Sequence, residues 1–223
     1  MQPDSQLILF DLDGTLADTA PDLAAAANSL RVDRGLEPLP LEVLRPVASA
    51  GARGLIGAAL GIKPGDDEFE TLKHTFLDRY EQDLCARTTL FAEVPELLDQ
   101  LEAGGRSWGV VTNKAERFAL PLLRELGLAA RAAAIVGGDT TAHTKPHPLP
   151  LLHAAELAGV AAQRCVYVGD DLRDIQAGKA ASMPTVAAAY GYCGDADPPE
   201  QWGADLLIRS PAELSPWLGT FAA

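Results

Sequence analysis

Four short stretches of this 223-residue chain carry the side chains best able to do chemistry. They are Asp11-Leu12-Asp13-Gly14-Thr15, Thr112-Asn113, Lys145-Pro146, and Gly169-Asp170-Asp171 with Asp174 one helical turn further on. Carboxylates can attack as nucleophiles, exchange protons and ligate hard cations, and an ammonium beside them neutralises an anion. Taken singly, each stretch has an ordinary explanation. Asp13-Gly14 is a common turn signal, and Thr112-Asn113 can start a loop or cap a helix. Lys145 before a proline can be a solvated loop lysine, and the run from Asp170 to Asp174 suits a helix N-terminus by charge. For the set to do nothing, all four explanations must hold together. A shared catalytic role is the stronger reading.

The elements that must position these residues follow from the hydrophobic pattern. Leu7 to Phe10 is a short continuous apolar run, the mark of a strand buried on both faces. From residue 93 such strands alternate with helices: helix 94–103, strand 108–111, helix 116–126, strand 135–136, helix 149–157, strand 165–168, helix 172–181, strands 185–188 and 205–208, and a last helix from Pro211. This alternation predicts a parallel sheet wound with helices on both faces. Between residues 18 and 88 the signals are helical. Thr19-Ala20-Pro21-Asp22 resembles a capping box with proline in the first turn, followed by apolar positions at Leu23, Ala26, Ala27 and Leu30. Phe69, Leu72, Phe76, Tyr80 and Leu84 form a second amphipathic stripe, and residues 39–62 are helix-like but broken by proline and glycine. The expected fold is therefore α/β, a doubly wound, Rossmann-like parallel-sheet core with a helical cap inserted after the first strand. The core takes residues 1–17 and 89–223, the cap 18–88. Ligands of such sheets bind at the carboxyl ends of the strands, where the four chemical stretches all fall.

Composition narrows the partners. With 18 Lys and Arg against 31 Asp and Glu the net charge is −13, which repels phosphate backbones and anionic lipid and argues against nucleic-acid binding. An anionic substrate of so acidic a protein needs a local positive centre, either a metal or a few placed cations. The apolar run near Asp4 is too short for a signal peptide or a membrane span. Cys85, Cys165 and Cys193 are odd in number and lack CxxC spacing, so reduced thiols and a cytoplasmic setting are expected. The four histidines lack metal-ligand spacing, and no P-loop or dinucleotide fingerprint is present. A monomer or homodimer acting on a small molecule is expected.

The four stretches, in this order, resemble the four motifs of the haloacid-dehalogenase superfamily, and the early insertion resembles its small C1 helical cap. The likeness spans essentially the whole chain. Within the superfamily the chain resembles the phosphoglycolate-phosphatase-like branch. Trp108 to Lys114, Val168 to Ile175, Tyr190-Gly191-Tyr192 and Trp202 to Asp205 look most like the bacterial N-acetylmuramic acid 6-phosphate phosphatases. The resemblance implies a phosphatase in which Asp11 attacks phosphorus to form an aspartyl-phosphate, while Asp13 protonates the leaving alcohol and then activates water. It implies Mg²⁺ held by the Asp11 and Asp170 carboxylates and the Asp13 carbonyl, with Asp171 or Asp174 orienting the metal's waters. Lys145 would neutralise nucleophile and phosphoryl group, and Thr112 and Asn113 would hold phosphate oxygens. Arg53, in the glycine-broken part of the cap, is a candidate partner of a substrate carboxylate, a solvated helix arginine being the alternative. A phosphomutase would share all four motifs. A dehalogenase has no leaving alcohol and no use for Asp13.

Overall fold

The computed structural model describes residues 7–194 and 197–219; Asp4, like the other residues of 1–6, 195–196 and 220–223, lies outside that range. Six strands form one parallel sheet. β1 (Leu7–Phe10) lies at its centre, flanked by β4 (Ser107–Val111) and β6 (Cys165–Gly169). β5 (Ile135–Val136) lies outside β4, and β7 (Thr185–Ala188) and β8 (Leu206–Ile208) continue beyond β6. The apolar run that predicts β1 is explained by its two covered faces. Ile8 and Phe10 pack with Val94, Leu97, Leu98 and Trp108 on one side, and Leu7 and Leu9 with Leu151, Ala154 and Tyr167 on the other. Helices α5 (Val94–Ala103), α6 (Glu116–Glu125), α7 (Leu149–Leu157), α8 (Leu172–Ala180) and α9 (Leu214–Leu218) provide those layers. The segment expected to be helical from Pro211 begins as a 3₁₀ turn, Pro211–Glu213, and becomes α9 at Leu214.

Register fixes which residues share the sheet's edge. Phe10 sits opposite Val110 on one side and Val168 on the other, so Asp11, Thr112 and Asp170 emerge side by side where the strands end. One glycine makes their close approach possible. Gly14 has φ +88°, and a Cβ there would fall 2.1 Å from Asp170 Oδ2. A larger residue would suffer both the strained backbone and the collision.

The intervening described residues are helical: α1 (Ala20–Val32), α2 (Leu41–Leu44), a 3₁₀ stretch Arg45–Ala50, α3 (Gly51–Leu60) and α4 (Phe69–Gln82). They bury a cluster of their own, including Leu23, Leu30, Leu44, Ile56, Phe69 and Phe76. A two-stranded antiparallel ribbon, β2 (Ala17–Asp18) with β3 (Thr89–Leu90), joins this block to the sheet. Sequence patterning does not reveal so short a ribbon, because two residues carry no period.

The expected capping box at Thr19 is not formed. Thr19 is the N-cap of α1 but its side chain makes no cap bond; its hydroxyl instead donates to Asp13 Oδ1 at 2.5 Å. The Ala20 N–H finds its acceptor in Tyr192 Oη, 2.9 Å away. Asp22, 3% exposed, accepts from the N–H groups of Arg87 and Thr88 and from Thr88 Oγ1, all at 2.8–3.0 Å. The residue that reads as a local helix cap is thus a bolt across the neck of the helical block. Asp22→Ala strands these three donors, and we expect a loss of about 2–4 kcal/mol. That corresponds to a fall of roughly 5–15 °C in Tm for a chain of this size. An unchanged Tm in thermal unfolding would show that the neck does not depend on Asp22.

Candidate active site

At the carboxyl edge of the sheet, between the strand ends and the helical block, lies a cavity of about 310 Å³. Lys145, 3% exposed, is at its floor. Its ammonium donates to Asp11 Oδ1 at 2.9 Å, Asp174 Oδ1 at 2.7 Å and Tyr167 Oη at 2.8 Å. Tyr167 in turn donates to the Val111 carbonyl, which ties the lysine to β4. Burial alone would lower the Lys145 pKa, but the facing carboxylates of Asp11 and Asp174 overcome it, and the ammonium is held more firmly than usual.

The acids respond in the opposite sense. Burial pushes Asp11 from its ordinary 3.8 to about 7, with Lys145 pulling back and Asp174 and Asp13 adding to the rise. Asp170, fully buried, is pushed well up by burial and then by Asp11 and Asp174, although Thr15 Oγ1 and the Tyr192 N–H donate to it at 2.8 and 2.9 Å. Oxygen atoms of Asp11, Asp170 and Asp174 lie within 4.8 Å of one another. Lys145 pairs with two of these three acids, and the raised pKa values of Asp11 and Asp170 mean that one ammonium does not compensate the full ionisation of all three. The donors are hard oxygens, so the cluster could hold a divalent cation.

The structure separates the two acids of α8 that the sequence leaves open. Asp171 is the helix N-cap: its carboxylate accepts from the Arg173 N–H and pairs with the Arg173 guanidinium at 2.7 Å. Against burial, Arg173 holds its pKa below the ordinary value. Asp174 Oδ2 completes the capping box by accepting from the Asp171 N–H, while Oδ1 faces Lys145. Asp174 therefore belongs to the carboxylate cluster and Asp171 to the helix end. Asn113 also lines the cavity, but both ends of its amide bond the Lys145 backbone, at 2.9 and 3.0 Å. That pairing positions the lysine loop, in addition to the phosphate contact that the resemblance implies for Asn113. Thr112 Oγ1 accepts from the Lys114 N–H at 3.1 Å, which leaves its own proton free to donate into the cavity.

Arg53 is exposed on α3 and is not among the cavity-lining residues. The guanidiniums that do line it are Arg117 and Arg173, and Arg173 also donates to the Ser49 carbonyl across 124 residues of chain. Lys114 is a further group that motif spacing alone does not single out. Its ammonium pairs with Asp13 Oδ1 at 2.9 Å and lies over the Tyr80 ring, 4.7 Å from the centroid. Its position two residues beyond Thr112 was the available signal.

The Asp11 shift makes stability depend on pH. A carboxyl at about 7, against an ordinary 3.8, keeps a proton that the unfolded chain releases. Its contribution is complete at low pH and is lost as the pH rises towards about 7. In chelator-treated protein, the stability difference between Asp11→Asn and the wild type should shift in the variant's favour by up to about 1.4 kcal/mol per pH unit over that window. Urea denaturation at about pH 5, 6 and 7 checks this. A difference that does not move with pH would mean Asp11 ionises normally.

Comparison with known proteins agrees with this geometry. The family model described as haloacid dehalogenase-like hydrolase matches residues 8–188. A phosphoglycolate phosphatase of Xanthomonas campestris pv. campestris is 49% identical over 207 residues, covering 93% of both chains. An N-acetylmuramic acid 6-phosphate phosphatase of Pseudomonas aeruginosa is 43% identical over 207 residues, covering 93% of this chain and 92% of the relative. The crystal structure of a predicted phosphoglycolate phosphatase from Haemophilus somnus superimposes with a TM-score of 0.85 at 30% identity, covering 98% of this chain and all of the other. With its sheet order, its strand-end carboxylates and these likenesses, the chain belongs to the haloacid dehalogenase-like hydrolases.

Proposed function

We propose that this hydrolase is a Mg²⁺-dependent phosphomonoester phosphatase that works through an aspartyl-phosphate on Asp11. In this reading residues 1–17 and 89–223 are the catalytic core and residues 18–88 the cap. The observation that carries it is the Asp11–Lys145–Asp174 cluster beside Asp170, a group of acids whose charge one lysine does not balance. Asp11 and Asp170 carboxylates and the Asp13 carbonyl would hold the Mg²⁺, which when bound supplies positive charge to an anionic phosphoryl group.

The residues then divide the work. The Asp11 carboxylate attacks phosphorus and the phosphorus–oxygen ester bond breaks. Asp13 gives its proton to the leaving alcohol, then takes one from the water that attacks the aspartyl-phosphate. Inorganic phosphate leaves and Asp11 is regenerated. Among the described residues, the contacts to the Asp13 carboxyl from Thr19 and Lys114 fall on Oδ1, so in this reading Oδ2 is the oxygen left for the proton exchange. Lys145 and the Thr112 hydroxyl draw charge off the phosphoryl oxygens.

For the substrate, a cavity of about 310 Å³ with Leu23, Phe76, Leu77 and Phe118 on its walls suits a leaving group of sugar size. This favours a carboxylated sugar phosphate such as N-acetylmuramate 6-phosphate. A second reading, 2-phosphoglycolate, is supported by the name of the relative at 49% identity. Phosphate release with Mg²⁺ from these two compounds and phenyl phosphate decides between them by their kcat/KM.

Asp11→Asn should abolish phosphate release while keeping the fold. Full activity in a preparation checked for deamidation would refute the nucleophile. Asp13→Asn should lower kcat by about 10²–10⁴-fold, more for an alkyl phosphate than for p-nitrophenyl phosphate. Equal losses on both would count against Asp13 as the proton donor. A chelator should remove activity and added Mg²⁺ restore it, and Asp170→Ala should raise the Mg²⁺ requirement sharply. Undiminished turnover in the chelated protein would dispose of the metal.

A further inference from the structure

Two hydroxyls on the cap side of the cavity are buried without a hydrogen-bond partner among the described residues: Ser49 Oγ and Tyr80 Oη. Both residues line the cavity. An unsatisfied buried hydroxyl is uncommon in folded proteins, and where it faces a cavity it is a group prepared for a ligand.

Neither is a loose side chain. Tyr80, 2% exposed, has its ring held between Phe76 and Phe118, at centroid distances of 6.5 and 5.7 Å. The Lys114 ammonium lies over one face of the ring, 4.7 Å from its centroid, and its charge acts on the phenol. Burial pushes the Tyr80 pKa up to about 12, so the phenol keeps its proton and can donate it. Ser49 is fixed through its carbonyl, which accepts from Arg173 at 2.9 Å. It stands just before α3, whose first turn, Gly51 and Ala52, lines the same cavity and has no side-chain cap. The wall thus offers donors and the positive end of a helix. Of the carboxylates that line the cavity, Asp13 and Asp171 are paired with Lys114 and Arg173.

We propose that Tyr80 and Ser49 are specificity-determining residues whose hydroxyls donate to acceptor oxygens, carboxylate or amide carbonyl, on the leaving group of a phosphomonoester larger than a two-carbon acid. The proposal rests on the phosphatase reading above and deepens it. The core motifs reach the phosphoryl group, whereas Tyr80 and Ser49 come from α4 and the turn before α3 and face the remainder of the substrate. The neighbouring Leu23, Phe76 and Phe118 would cover its apolar parts.

The test measures kcat and KM of the Mg²⁺-loaded wild type, Tyr80→Phe and Ser49→Ala on N-acetylmuramate 6-phosphate, 2-phosphoglycolate and phenyl phosphate. In each variant the ratio of kcat/KM for the amino-sugar acid to that for phenyl phosphate should fall about tenfold, the scale of one lost hydrogen bond to a charged group. Most of the fall should appear in KM. The Tm of Tyr80→Phe should equal or exceed that of the wild type, because the variant removes a hydroxyl that the fold leaves unsatisfied. Equal losses on all three substrates, no change in the ratio, or a loss confined to 2-phosphoglycolate would overturn the proposal. Failure of the wild type to release phosphate from any of them would instead refute the phosphatase reading, and the proposal with it.

Discussion

The Lys145 ammonium, buried against two carboxylates and a phenol, is the constraint around which the site is arranged. Ions taken from water are costly, and this one is tolerated because every direction of its donation is filled. Filling those directions determines the neighbours. Asp174 must come from the first turn of α8, Asp11 from the end of β1, and Tyr167 from within β6. The Lys145 loop must be clamped at the right height, which is the task of Asn113. Parallel strands in register give the acids a common edge, and Gly14 lets the β1 loop lie against Asp170 without a side chain between them.

The same constraint leaves the site electrically unfinished. One ammonium cannot balance Asp11, Asp170 and Asp174, and burial resists the ionisation of Asp11 and Asp170. A cluster with raised carboxyl pKa values and hard oxygen donors is stabilised by whatever cation completes it. In a chain of net charge −13 this is also how an anionic substrate can approach. The field that repels it at long range gives way locally to a lysine and, in the proposed mechanism, a metal.

The helical block is closed at its neck and attached to the sheet by contacts that are distant in sequence. Asp22 reaches Arg87 and Thr88, Tyr192 reaches Asp18 and Ala20, and Arg173 reaches Ser49. Tyr192 links the two halves of the site directly, because its backbone N–H donates to Asp170 while its hydroxyl serves the entrance to α1. The helical block and the charge balance in the sheet are thereby joined through one loop.

By itself, the sequence determined what depends on local pattern. Continuous apolar runs specified strands covered on both faces, helical periodicity specified the intervening block, and the four motif stretches specified Asp11, Asp13, Thr112, Lys145 and Asp170 as a set. Periodicity records which face of an element is buried, and motif spacing records which residues leave a strand end together. Neither records the partner of a polar side chain. Asp22 read as part of a helix cap from local spacing, and Asn113 drew a phosphate role from the family resemblance alone; neither source could show which backbone groups these side chains hold. Their actual partners are 65 and 32 residues away. Arg53 drew attention as a cation in a glycine-broken stretch, yet it is exposed on α3 outside the cavity lining, which Ser49 and Tyr80 join. Tertiary structure decided these points, since hydrogen-bond partnership follows from distance in space, and only the packed chain brings such residues together.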